Sequence, residues 1–202
     1  KPTGKIDGES LVRGEKVFVE DKVPQDAYAL EVLRSPYAMA YVTDIDTKYL
    51  DVSEVVDLTY MFGGCNSLAS VDVSNFDTSK AVSMWGMFGG CNKLASLNLS
   101  KWNTSNVVKM RDLFKGCNSL VSLDLSNWDT SKVQLMTGMF SDCSKLASLD
   151  LSNWDLTNVT KINRSMFYAC GLLRTITMKN CSPETVQKIK SVVAFNVNII
   201  TE

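Results

Sequence analysis

Apolar and polar positions recur with one spacing through most of this chain. Cys65, Cys91, Cys117 and Cys143 stand 26 residues apart, and Cys170 follows after 27. Phe62, Phe88, Phe114, Phe140 and Phe167 keep the same phase, as do Leu68, Leu94, Leu120, Leu146 and Leu173. A third column reads Phe76, Trp102, Trp128 and Trp154, and the one-residue insertion falls between Ile162 and Met166. So many columns in step mark an internal repeat, and a period of this size is the signature of a stacked array.

Within a unit, Leu120, Leu123 and Leu125 are spaced three and then two apart. The alternation predicts a short strand with Leu123 and Leu125 turned inward and Asp124 and Ser126 outward. After Trp128, the run Asp129-Thr130-Ser131 offers capping oxygens. Val133, Met136, Met139, Phe140 and Cys143 then recur every three or four residues, which predicts a short helix. Gly64, Gly90 and Gly116 precede the column cysteine, where a helix end needs a left-handed residue. One strand and one short helix cannot bury their apolar faces alone, so successive units must share a core. The expected fold is an α/β repeat solenoid of five or six rungs. It carries a parallel sheet on one face, advancing about 4.8 Å per unit, and short helices on the other.

The end rungs of such an array need covers. Residues 1–44 are expected to form an N-terminal cap: Lys16 to Val19 alternates like a strand and Pro24 to Leu33 reads as a short helix, before Tyr41-Val42-Thr43 leads into the first rung. Residues 45–175 are the repeats. Residues 176–202 form a C-terminal cap, in which Ser182-Pro183-Glu184 starts a helix with Val186, Ile189, Val192 and Val193 as its apolar stripe, and Asn196 to Thr201 reads as a final strand. The three parts make one continuous domain.

The spacing L-x-x-L-x-L-x-x-aromatic, clearest at Leu146, Leu149, Leu151 and Trp154, matches the leucine-rich repeat frame, with an aromatic where that frame usually has Asn or Cys. The longer pattern of Met139 to Ser152 and Ser122 to Val133, M-F-x-x-C-x-x-L-x-x-L-D-L-S-x-W-D-T-S-x-V, resembles the BspA-like leucine-rich repeats of bacterial surface proteins. The resemblance covers about Ile45 to Cys181. It implies a secreted or surface-attached protein with adhesive or host-contacting roles, and it brings no catalytic residues.

Charge and composition narrow the chemistry. Lys and Arg number 21 against 22 Asp and Glu, a net charge of −1, so no broad cationic field is available to hold nucleic acid. Histidine is absent, which removes the commonest general base and every histidine metal site. No run approaches 18 apolar residues, and the opening Lys1-Pro2-Thr3-Gly4 is not a leader, which suggests a soluble mature or trimmed segment.

The candidate contact surface is the open face of the sheet: Ser70, Asp72 and Ser74, then Ser96, Asn98 and Ser100, then Ser122, Asp124 and Ser126, then Ser148, Asp150 and Ser152. Trp85 shares its column with Thr59, Arg111, Thr137 and Asn163, all polar, and is a second contact candidate on the convex side unless a neighbour covers it. The aromatic column from Phe76 to Trp154 points into the core. Asp77, Asn103, Asp129 and Asp155 are expected to cap helices and form turns. The six cysteines read as buried free thiols, with a disulfide left open only for Cys170 and Cys181. Paired aspartates at rung spacing resemble a hydrolase pair, but a repeated column gives each carboxylate nearly one environment, and differentiated acids are what catalysis needs. No catalytic residue, cofactor or metal site is expected. The expected function is a non-enzymatic recognition or adhesion module, extracellular or at the cell surface, binding a protein or glycan on another cell or matrix. The alternative is a passive spacer within a larger surface protein.

Overall fold

The computed structural model describes residues 45–202 apart from Tyr49. The expected strand, helix and N-terminal cap of residues 1–44 lie outside the described residues. The described elements are four strands, β1 (Ser122–Asp124), β2 (Ser148–Asp150), β3 (Thr175–Thr177) and β4 (Asn198–Ile200), one α-helix, α1 (Pro183–Val192), and a 3-10 turn at Arg164–Phe167.

The strands form one parallel sheet in the order β1-β2-β3-β4. Its register is set by the repeat: Leu123 pairs with Leu149, Leu149 with Ile176, and Ile176 with Ile199. Successive units are therefore spatial neighbours, and like residues form files through the core. Phe88 and Phe114 stack at 5.9 Å between ring centroids, Phe114 and Phe140 at 5.8 Å, and Trp102 and Trp128 at 6.2 Å. The Phe, Leu, Cys and Trp columns all belong to one apolar cluster running from Val52 to Val192. The earlier units at 70–73 and 96–99 hold no ladder; Ala95 N–H to Ala69 O, 3.3 Å, is the bond between them. The sheet is thus shorter than five or six rungs, and it is best formed where β-branched residues at Thr175-Ile176-Thr177 and Ile199-Ile200 favour extended backbone.

The expected helix in each unit is not there. The segment Leu58–Gly64, and its equivalents 26 and 52 residues on, is a ribbon of turns whose hydrogen bonds alternate in direction. Met61, Gly63 and Cys65 donate back to the carbonyls of Leu58, Tyr60 and Phe62. Leu58, Tyr60, Phe62 and Gly64 instead donate across to Ser83, Trp85, Met87 and Gly89 of the next unit at 2.6–2.8 Å. Most N–H groups of the segment thus have a partner without a helix. Spacing explains the outcome, because packed helices need about 8–10 Å between axes whereas strand neighbours sit about 4.8 Å apart. Parallel bridges Asp57–Ser83–Lys109–Leu135–Lys161 hold the turn side at strand spacing too, so no helix fits. Gly64, Gly90 and Gly116 are left-handed as expected (φ 81°, 80° and 74°), but they close turns.

At the C-terminal end the reading is met closely. Ser182 caps α1 by accepting from Thr185 N–H, Pro183 opens it, and Ile189 and Val192 are buried beneath it.

Candidate functional site

The polar positions of the sheet face lie where the alternation puts them. Ser70, Asp72, Ser96, Asn98, Ser122 and Asp124 are exposed, while Ser74, Ser126, Ser148 and Asp150 are half-buried. Ser122 lies beside Ser148 and Asp124 beside Asp150 in register, so β1 and β2 present two adjoining Ser/Asp rows. Ser152 is buried, and its hydroxyl accepts from Lys179 N–H at 3.0 Å, which removes it from the face.

Each aspartate of the face also shapes the backbone. Oδ1 of Asp72, Asp124 and Asp150 accepts the N–H of Ser74, Ser126 and Ser152 at 2.9–3.0 Å, and Asn98 does the same with Ser100 at 3.2 Å. These are turns in which a side chain two residues back replaces a backbone acceptor. The Ser126 hydroxyl and N–H hold the Asp124 carboxyl below the usual carboxylate range, and Ser74 acts likewise on Asp72. The face is therefore an array of carboxyl and hydroxyl groups in which side chain and backbone are hydrogen-bonded together. Among the described residues, no group of three or more Cys, Asp or Glu side chains converges as a cation site would require.

The second polar column does the turn-forming part of its expected task, with no helix to cap. Asp77, Asn103, Asp129 and Asp155 accept from the N–H groups of Ser79, Ser105, Ser131 and Thr157 at 2.8–3.1 Å. The aromatic column is core, as expected: Phe76, Trp102, Trp128 and Trp154 are all buried. Indole Nε1 of Trp102 and Trp154 donates to Val73 O and Leu125 O, each at 3.0 Å, whereas that of Trp128 is buried without a partner.

Trp85 is half-buried between two neighbours. The Arg111 guanidinium sits 5.0 Å from its ring centroid, and Tyr60 leans on it at 6.1 Å and 42°. Its indole nitrogen is buried without a hydrogen-bond partner. Tyr60, which the sequence reading passed over, is the more exposed ring. The signal for it was its column: Gly86 and Gly138 stand at the equivalent positions, so a tyrosine among glycines is out of pattern.

All six cysteines are free, Cys170 and Cys181 included. The two thiols have different partners: Cys170 Sγ points to Phe140 O at 3.0 Å and Cys181 Sγ to Leu151 O at 3.3 Å. Burial pushes the Cys117 thiol up to about 12 and the Cys170 thiol up to about 11.

Units repeated in sequence, joined in register by a parallel ladder and presenting polar rows on the sheet, define a repeat protein. The chain belongs to the family described as Mycoplasma protein of unknown function, DUF285, which matches residues 32–122 and again 83–200. The two matches begin close to two repeat lengths apart, as a repeating unit requires. No curated protein matches the chain. Among the described residues, no helix is long and apolar enough to cross a membrane.

Proposed function

We propose that this chain is a BspA-like leucine-rich repeat solenoid serving as a non-enzymatic recognition module at a cell surface. In this reading the Ser/Asp side of the stack, from Asp72 in the unpaired second unit to Asp124 and Asp150 on the sheet, meets a protein or glycan on another cell or matrix. The single observation behind it is the adjoining Ser122/Asp124 and Ser148/Asp150 rows of β1 and β2, held in one register. Side chains fixed before contact lose little entropy on binding, which favours a recognition surface. The aspartates lie in near-identical turns, which suits repeated contact better than division into acid and base. Changing Asp72, Asp124 and Asp150 together to Lys tests the face, with binding to host cells and matrix proteins as the readout. Lost binding with an unchanged melting temperature supports the reading; unchanged affinity removes this face.

A passive spacer is the second reading, and the bonds between turn-side rungs among the described residues favour it, because they tie the stack together along its length. A broad glycan and matrix-protein array on which the chain finds no ligand would favour the spacer.

A further inference from the structure

On the turn side, away from the sheet face, three cations and two aromatic rings share neighbouring rungs. Lys109, Arg111 and Lys115 are all exposed, while Met110, Leu113 and Phe114 between them are buried. Asp112, the acid among them, lies over Gly138 with its Oδ2 3.0 Å from Arg111 Nε. Its side chain is 17% exposed against 51% for Arg111, so cations dominate what solvent meets. One rung back, Trp85 lies under the Arg111 guanidinium, and one rung further Tyr60 leans on Trp85. The Tyr60 ring rests on the bare backbone of Gly63 and Gly86, where any Cβ would collide with it. One ring face is thereby braced, and Tyr60 as a whole remains 45% exposed. Acids at the margins are Asp57, exposed on the Tyr60 rung, and Asp142, half-buried on the fourth rung and bonded to the Ser141 hydroxyl.

We propose that this patch binds an anionic saccharide. The C–H face of a sugar ring stacks on the open face of Tyr60, and its carboxylate or sulfate groups meet Arg111, Lys109 and Lys115. The inference rests on the recognition reading above, and gives it a ligand class and a face other than the sheet. A partly exposed aromatic ring braced from beneath suits the flat, apolar face of a pyranose. The guanidinium fork matches an oxyanion in two directions, and Trp85 beneath it keeps it in place. The charge is local, since the chain as a whole carries −1, so it fits a short acidic ligand better than a long polyanion. Single-stranded nucleic acid uses similar stacking and charge chemistry but gains most from many phosphate contacts, which this patch does not offer.

The test is titration of the whole chain with a sulfated heparin hexasaccharide at two salt concentrations, beside a neutral maltohexaose and an oligothymidylate. Substitutions copy what other rungs carry at the same positions, which protects the fold: Lys109→Ser as at Ser83, Arg111→Thr as at Thr137, Lys115→Ser as at Ser141, and Tyr60→Gly as at Gly86. The chain is expected to bind the hexasaccharide and not maltohexaose, more weakly at higher salt. The triple cation variant should lose at least tenfold in affinity and most of its salt dependence. Tyr60→Gly should lose affinity and keep the salt dependence. No binding of the hexasaccharide, affinity unmoved by these variants, or tighter binding of the oligothymidylate overturns the proposal. Cell or matrix binding abolished by the aspartate variants but untouched by the turn-side ones overturns this inference and leaves the sheet face standing; the converse result removes the sheet face instead.

Discussion

At the residue scale, small polar side chains tie each unit to the next from inside. Thr130, buried, donates its hydroxyl to Asp155 O and accepts Asp155 N–H, both at 2.8 Å. Thr78 makes the same pair with Asn103 at 3.0 Å. At Leu156 the column lacks its threonine, and Thr185 of α1 supplies the oxygen to Leu156 N–H at 3.1 Å. Valine has the shape of threonine without the oxygen, so Thr130→Val strands two backbone groups of Asp155. We expect it to cost about 2 kcal/mol, and Thr130→Ser much less, by urea unfolding. The thiols act similarly: Cys91, Cys117 and Cys143 point Sγ at the carbonyls of Phe62, Phe88 and Phe114 at 3.0–3.2 Å. A thiol reagent at neutral pH should modify at most the half-buried Cys170 and Cys181 of the native chain, and six thiols after denaturation without reductant.

At the element scale, the turn ribbon rests on left-handed residues in two columns. One is Tyr60, Gly86, Asp112 and Gly138, with φ of 54°, 60°, 53° and 67°. Large and absent side chains alternate there because the larger one lies over the next unit's glycine: Tyr60 over Gly86 and Asp112 over Gly138. Gly138→Ala therefore meets both a positive φ and the Asp112 carboxylate, and should cost more than about 1 kcal/mol. Pairing it with Asp112→Gly should return the steric part and leave the conformational part, which a double-mutant cycle in urea separates. The positive φ of Tyr60 and Asp112 was not legible, because neither residue type announces it and only the glycines of the column hint at it. The helix expectation failed for a related reason. Apolar residues three and four apart are satisfied equally by successive turns, and periodicity does not report where the N–H groups point.

At the scale of the whole molecule, stability rests on a shared core and on groups whose ionisation differs between folded and unfolded chain. Hydrogen bonds from Ser and Thr hold Asp51, Asp72, Asp77, Asp124, Asp129 and Asp155 below the usual range. Their stabilisation is present above the unfolded value of about 3.9 and is lost as pH falls below it. The thiols work in the other direction. Burial raises Cys117 to about 12, and Cys143 is raised by the same cause. Stability is then full below the unfolded value of about 8.5 and falls as pH rises past it, because the unfolded chain releases protons the folded one keeps. Urea midpoints across pH should show a plateau between about pH 5 and 8 with a fall on each side, and Cys117→Ala should make the alkaline fall shallower.

What the sequence by itself determined is which residues are alike: the columns of Phe, Cys, Leu and Trp, the Ser/Asp alternation of β1 and β2, and α1, which Ser182-Pro183 announces. Those follow from side-chain polarity and local capping, and both are properties of single positions and short windows. Only the tertiary structure decided that the second half of each unit is turns, and that Arg111 lies over Trp85 with Tyr60 leaning on the same ring. Those depend on what lies one rung away. With neighbouring units at strand spacing on both sides of the stack, backbone bonds to the next rung replace a helix, and the partners of an exposed side chain are residues about 26 positions distant in the chain.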